Sequence, residues 1–284
     1  MVDRLAALLD HFSVTAQTFH AGTLCGSHWL EAKDNMGQLH LIRRGPITVY
    51  HGADKLQIDQ PSLLLYPRPM AHRFESDVHS GADMVCANLL FEGGVNNSIA
   101  DALPHVVCLP LAEMPDAATV LQLLFDEAFA QRCGRTTVLN RLFEVVLIQV
   151  LRQLMERSQV QAGMLAGLAH PRLRLALVAM HESPAKAWSL EELGAGCGMS
   201  RSVFANSFRT TVGCTPGVYL QNWRIAIAQR LLRQGKSLQH VADTVGYGSE
   251  TAFSRAFRAQ VGMPPRQWRE AQKQAQVGSS APRA

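Results

Sequence analysis

Arg201, Ser202, Ala205, Asn206 and Arg209 recur at steps of one, three, one and three residues, and Glu250, Thr251, Ser254, Arg255 and Arg258 repeat the same steps. At 3.6 residues per turn each set lies along one face of a helix. Hydroxyls and amides both donate and accept, and a guanidinium offers paired donors. That is the chemistry needed to hydrogen-bond base edges in a major groove, or the phosphates beside it. Ser249, just ahead of the second set, adds a further hydroxyl. The plain alternative is a wetted helix face, and the duplication of that face argues against it.

The elements that must position these side chains are themselves repeated. Ser189-Leu190-Glu191-Glu192-Leu193, Cys197-Gly198-Met199-Ser200, Phe204, Phe208-Arg209, Val212-Gly213 and Pro216 form one copy. Ser237-Leu238-Gln239-His240-Val241, Val245-Gly246-Tyr247-Gly248-Ser249, Phe253, Phe257-Arg258, Val261-Gly262 and Pro265 form the other, offset by 48 residues at the start and 49 after the turn. Each copy spells helix, turn, helix. Ser189 with Glu192 makes a capping box, and Gly198 and Gly246 permit the left-handed backbone that stops a helix. Ser200 and Ser249 are placed to cap the next helix, and paired Phe residues four apart anchor its inner face. Cys197 and Cys214 fall at helix-packing positions.

Between the copies, Thr215 precedes Pro216 as an N-cap precedes a favoured first residue. Tyr219, Leu220, Trp223, Ile227 and Leu231 then keep helical period to Gln234. About 19 residues at about 1.5 Å each span roughly 28 Å, comparable with the ~34 Å turn of B-DNA that separates paired recognition helices. Charge supports the same reading. Residues 170–284 hold 15 Lys and Arg against 6 Asp and Glu, whereas residues 1–169 hold 12 against 17. A basic second half suits a polyanion.

With Arg224-Ile225-Ala226-Ile227-Ala228-Gln229-Arg230-Leu231-Leu232 between the copies and a Gly-x-x-Pro ending to each (Gly213 to Pro216, Gly262 to Pro265), residues 170–272 resemble the AraC/XylS transcription regulators. The resemblance implies a seven-helix DNA-binding domain acting on nearby genes. Carried over by position, Ser202 and Asn206 in the first copy and Glu250, Thr251, Ser254 and Arg255 in the second would face bases. Gly194 and Asn206 depart from the family pattern, which often has Ala and a large polar or basic residue there.

The first half reads differently. Leu39-His40-Leu41-Ile42, Ile47-Thr48-Val49-Tyr50, Leu56-Gln57-Ile58 and Leu63-Leu64-Leu65-Tyr66 are short apolar runs parted by turn-forming residues, which argues for a β-barrel or sandwich from about Phe19 to Phe91. Residues 1–10 suit one short helix, and Leu103 to Leu111 an extended connection. Pro67-Arg68-Pro69-Met70-Ala71-His72 and Leu39-His40-Leu41 resemble cupin motifs. Gly22-Thr23-Leu24-Cys25-Gly26, Val85-Cys86, Asp101-Ala102-Leu103-Pro104 and His170-Pro171-Arg172-Leu173 resemble the reactive-chlorine-responsive activators of the AraC family.

Three readings of this half stay open. Cys25 and Cys86, 61 residues apart, could be oxidised to sulfenic acid and then a disulfide if the fold brings them together, with His28 and Arg73 as activating cations. Equally, both could be small buried apolar residues. A barrel mouth could take a small organic effector. Finally, His28, His40, His72 and Cys25 could bind a metal, as a metal-dependent cupin enzyme would require, although no complete ligand set can be named. Cys108 and Cys133 are further candidate redox partners.

Residues 116–132 and 136–157 carry helical periodicity. The second is apolar around much of its circumference, as fits either packing on the barrel or a dimer seam. Its longest apolar stretch, Val138 to Met155, is broken by Asn140, Arg141, Glu144, Gln149 and Arg152 and is too polar to span a bilayer. The N-terminus has no secretory pattern. The expectation is a two-domain α+β protein. It comprises a cupin-like sensor domain over 1–157 with helical segment 116–157, a linker over 158–169, an all-α tandem helix-turn-helix domain over 170–272 and a flexible tail over 273–284. Such a protein would be a cytoplasmic, non-enzymatic activator that needs no cofactor or membrane. Its partners would be double-stranded DNA, RNA polymerase and a second copy of itself.

Overall fold

A computed structural model describes residues 3–32, 36–92, 98–157 and 162–279. The chain divides into two compact units, Phe12–Val160 and Met1–His11 with Gln161–Ala284.

The first unit is two facing antiparallel sheets. One has the order β1 (Val14–Leu24), β8 (Ala82–Phe91), β3 (Met36–Arg44), β6 (Ser62–Tyr66), β9 (Val107–Pro110). The other has the order β2 (Ser27–Leu30), β7 (His72–Ser76), β4 (Ile47–His51), β5 (Asp54–Ile58). The four apolar runs of the sequence are β3 to β6. Alternate residues of β3 to β8 bury Ile42, Ile47, Val49, Ile58, Leu64, Tyr66, Phe74, Met84 and Cys86 between the sheets, the period-two pattern of a layered core. The expected extended connection over 103–111 ends as strand β9, paired with β6.

Helices α2 (Ser98–Ala102), α3 (Ala118–Ala128) and α4 (Arg135–Glu156) complete the unit. The polar interruptions of α4 have a structural use. Asn140 Oδ1 accepts from the Thr18 backbone N–H at 2.8 Å and its hydroxyl at 2.9 Å, and Glu144 Oε1 accepts from the Ala16 N–H at 3.2 Å. Strand β1 is a sheet edge, and these side chains satisfy donors that an edge leaves open.

In the second unit, α1 (Ala6–His11) packs with α5 (Met164–Ala169), α6 (Leu173–Glu182), α7 (Leu190–Gly196), α8 (Arg201–Val212), α9 (Pro216–Arg233), α10 (Leu238–Thr244), α11 (Glu250–Val261) and α12 (Pro265–Ser279). Arg230 on α9 donates to the Asp10 carbonyl at 2.8 Å, which anchors α1 here rather than on the sheets. Of the expected linker 158–169, residues 158–161 lie outside the described residues, and Met164–Ala169 are helical with Leu165 and Leu168 fully buried. Of the expected tail, 273–279 continue α12, and 280–284 lie outside the described residues.

Local chemistry explains the helix ends. The Ser189–Glu192 capping box is formed, Thr215 Oγ1 accepts from Val218 N–H, and the Ser237 and Ser249 hydroxyls cap α10 and α11. Ser200 sits at the N-cap of α8, but its side chain makes no cap bond; the hydroxyl lies 3.5 Å from that of Ser202. Gly198 and Gly246 adopt φ of 62° and 79°. Gly194 has a packing reason, since an added methyl would meet the Met199 carbonyl at 3.0 Å. Phe204, Phe208, Phe253 and Phe257 are wholly buried, each worth roughly 1.5–3 kcal/mol relative to exposure.

Candidate nucleic-acid interface and sensor residues

Helices α8 and α11 hold equivalent places in the two copies and turn equivalent faces to solvent. Arg201, Ser202, Asn206 and Arg209 are exposed on and beside one; Ser249, Thr251, Arg255 and Arg258 are exposed on the other, with Glu250 and Ser254 half-buried. Arg201 Nη1 lies 3.1 Å from Glu191 Oε1, so this guanidinium is already partnered. Val203, 51% exposed beside the first face, was not singled out by its type; an apolar side chain there can meet a thymine methyl.

The spacing of the two faces is set by α9 and what it holds. Arg224 donates to the Pro184 carbonyl at 2.6 Å and the Lys186 carbonyl at 2.9 Å, and its guanidinium lies 5.9 Å from the Tyr247 ring. One side chain thus joins the loop before the first copy to the turn of the second. Gln260 on α11 donates to Asn222 on α9 at 2.9 Å. His181 Nε2 lies 2.6 Å from the Tyr219 hydroxyl and its ring stacks on Trp223 at 3.9 Å. Burial drives the His181 pKa from the usual 6.5 to about 3, so this ring is neutral at pH 7.

A cleft of about 390 Å³ opens beside α11, lined by Leu238, Glu250, Thr251, Ser254, Arg255, Arg258, Pro264, Pro265 and Arg266. Arg266 was not among the sequence candidates. Its signal was its place directly after the Gly-x-x-Pro ending, where the first copy has Gly217.

On the sheet side the candidate residues are dispersed. Cys25 is exposed and Cys86 buried. Leu24 pairs with Ala82 across β1 and β8, whereas Cys86 pairs with His20. Cys25 therefore lies about five residues from Cys86 along the ladder, roughly 17 Å at ~3.4 Å per residue, well outside the span of a disulfide. Burial pushes the Cys86 thiol pKa up, against thiolate formation. Neither proposed activating group serves Cys25 sulfur: His28 Nε2 donates to the Cys25 carbonyl at 2.8 Å, and the Arg73 guanidinium lies 4.5 Å over Tyr50. Cys108 and Cys133 are both exposed.

His40 and His72 do meet, Nε2 to Nε2 at 3.1 Å across the two sheets. His72 Nδ1–H donates to the Met70 carbonyl at 2.9 Å. In neutral His72 the Nε2 must then accept, and His40 donates. Burial lowers the His72 pKa to about 4 despite the Met70 bond, and holds that of His40 well below its usual 6.5. With both Nε2 atoms spent on each other and His28 at the surface on Cys25, the set does not fit a metal. Among the described residues no group of three His, Cys, Asp or Glu is placed to hold one. A separate cleft of about 770 Å³ is lined by Trp29, Tyr50, His51, Gly52, Asp54, Met70, Ala71, His105 and Val106.

A two-sheet unit followed by paired helix-turn-helix copies defines a two-domain protein with a cupin fold ahead of a helix-turn-helix fold. Residues 3–156 match the family model described as Cupin, and residues 193–271 match that described as Helix-turn-helix domain. The chain belongs to the cupin family, whose model takes in more than half of it, and carries a helix-turn-helix domain behind that part. It is 40% identical over 177 residues to an AraC-like transcription regulator of Streptomyces lividans, a match that takes in 61% of this chain and 58% of that relative's length. It is 27% identical over 286 residues to the RCS-specific HTH-type transcriptional activator RclR of Escherichia coli, covering 96% of this chain and 99% of that one. Among solved structures, the DNA-binding domain of AdpA in complex with a target DNA is 33% identical, with 34% of this chain and 87% of that chain covered and a TM-score of 0.33.

Proposed function

We propose that the chain is a sequence-specific DNA-binding transcription regulator that reads duplex DNA with Arg201, Ser202, Asn206 and Arg209 in one groove and Ser249, Glu250, Thr251, Ser254, Arg255 and Arg258 in the next. The observation that carries this is the matched pair of exposed polar faces on α8 and α11, fixed in relation to each other by α9. Regulators of this type act beside a promoter, and as an activator this one would engage RNA polymerase there. The test is fluorescence anisotropy with duplexes from the gene's own upstream region against random duplex at physiological salt. Equal affinity for both would remove sequence-specific reading.

For the signal, we infer oxidation of cysteine, with exposed Cys25 as the first site and buried Cys86 joining it only if β1 parts from β8. The likeness to a reactive-chlorine-specific activator over nearly the whole chain supports this reading. The alternative is a small organic effector in the cleft of Trp29, Tyr50, His51 and Met70. Reporter output under hypochlorous acid separates them, since an undiminished response in Cys25→Ser and Cys86→Ser would leave the effector. A homodimer is the third element. Val138 and Val145, 40% and 38% exposed on α4 at heptad spacing, offer its seam. Val145→Asp would then sediment as a monomer where the parent does not; an unchanged dimer would place the seam elsewhere.

A further inference from the structure

The two helix-turn-helix copies match in fold, yet their corresponding clefts differ in charge. In the first copy the cleft beside α8 is lined by Trp188, Leu193, Ala205, Gly217 and Leu220, and is largely apolar. In the second, the equivalent cleft beside α11 has Arg255, Arg258 and Arg266 on its walls, with Glu250 as the acid among them. Position by position, Ser254 replaces Ala205, Arg255 replaces Asn206 and Arg266 replaces Gly217. The helix that closes each cleft also starts differently. In α9 the Thr215 hydroxyl takes the Val218 N–H, whereas Pro264 ahead of α12 has no side-chain acceptor to offer the matching Gln267 N–H.

We propose that this second cleft is a phosphodiester-binding site, in which Arg258 and Arg266 grip one backbone phosphate of the bound duplex while Arg255 faces the bases. The second copy is then the anchor that fixes register on the DNA. The first, with Gly217 where Arg266 would stand, reads without that clamp. This rests on the DNA-binding reading above. Two guanidiniums converging on one concavity suit the planar, doubly accepting geometry of a phosphate. A phosphate contact positions the protein without carrying sequence information.

The test uses the full-length protein with labelled target duplex and random duplex, titrated between 50 and 200 mM KCl, as the parent, Arg266→Ala, Gly217→Arg and, as a basic control in the other unit, Arg152→Ala. Arg266→Ala should weaken both duplexes by the same factor and reduce the slope of log affinity against log salt by about one ion, as loss of a single phosphate contact does. Gly217→Arg should steepen that slope by about one ion, and nothing lies within 4 Å of a Cβ placed there to prevent the change. An unchanged slope for Arg266→Ala with native melting, or a loss confined to the target duplex, would overturn the assignment. If the parent binds neither duplex, the DNA-binding reading fails and the clamp with it. If the parent binds and only the slope test fails, the clamp alone falls.

Discussion

His181 Nε2 and the Tyr219 hydroxyl lie 2.6 Å apart, which ties α6 to the helix that spaces the two recognition helices. Burial holds the His181 pKa near 3 in the folded chain, against 6.5 when exposed. Between those values the unfolded chain binds a proton that the folded chain refuses, so stability falls as pH drops from 6.5 towards 3 and is unaffected by this group above 6.5. The difference in unfolding free energy between the parent and His181→Phe, followed by calorimetry from pH 7.5 to 4, should shrink steadily below 6.5. A constant difference across that range would mean that His181 is not buried neutral.

Arg255 stands exposed in the middle of the α11 face, one helical turn from Thr251. A guanidinium so placed can make a bidentate contact with guanine, worth about 1–3 kcal/mol of discrimination. Arg255→Ala should therefore weaken the target duplex about tenfold to a hundredfold and leave random duplex nearly untouched, the opposite signature to Arg266→Ala. Anisotropy titrations of both duplexes check this, and a uniform loss would reassign Arg255 to the backbone.

The repeated copies were legible because their signals are local: serine caps, glycines forced to positive φ, and phenylalanine pairs one turn apart all act within a few residues. Ser200 shows the limit, since the right residue at the right place still leaves its hydroxyl off the helix. The apolar runs that became β3 to β6 were equally plain in sequence. The separation of Cys25 from Cys86 was not, because it depends on the β1–β8 register, fixed by pairs far apart in the chain. The seating of α1 on the helical unit depends on Arg230, 220 residues from Asp10. The arginine cleft needs three helices assembled before its lining exists at all.

Cys25 and Cys86 differ in both access and acidity, and their reactivities should differ accordingly. Cys25 is exposed, whereas Cys86 is buried with its thiol pKa pushed up. Timed alkylation followed by peptide mass spectrometry should label Cys25 in the native protein while Cys86 waits for unfolding, because the thiolate is the reactive form. Comparable native rates at the two sites would show that β8 opens readily, and would restore a direct Cys25–Cys86 pairing.

Gly198 and Gly246 end the first helix of each copy with the same left-handed backbone, but their surroundings differ. A methyl on Gly198 meets nothing closer than the Arg172 guanidinium at 3.9 Å, whereas one on Gly246 runs into the backbone of Ala185, carbonyl included. Gly198→Ala should cost only the left-handed penalty, about 1–2 kcal/mol. Gly246→Ala adds overlap with main-chain atoms that cannot rotate away, a further cost of about 1–3 kcal/mol. It should also push the second turn off the loop that Arg224 holds, so DNA affinity falls with stability. Urea denaturation of the two variants, read beside their affinity for target duplex, measures this; equal losses would show that the second turn is not clamped against Ala185.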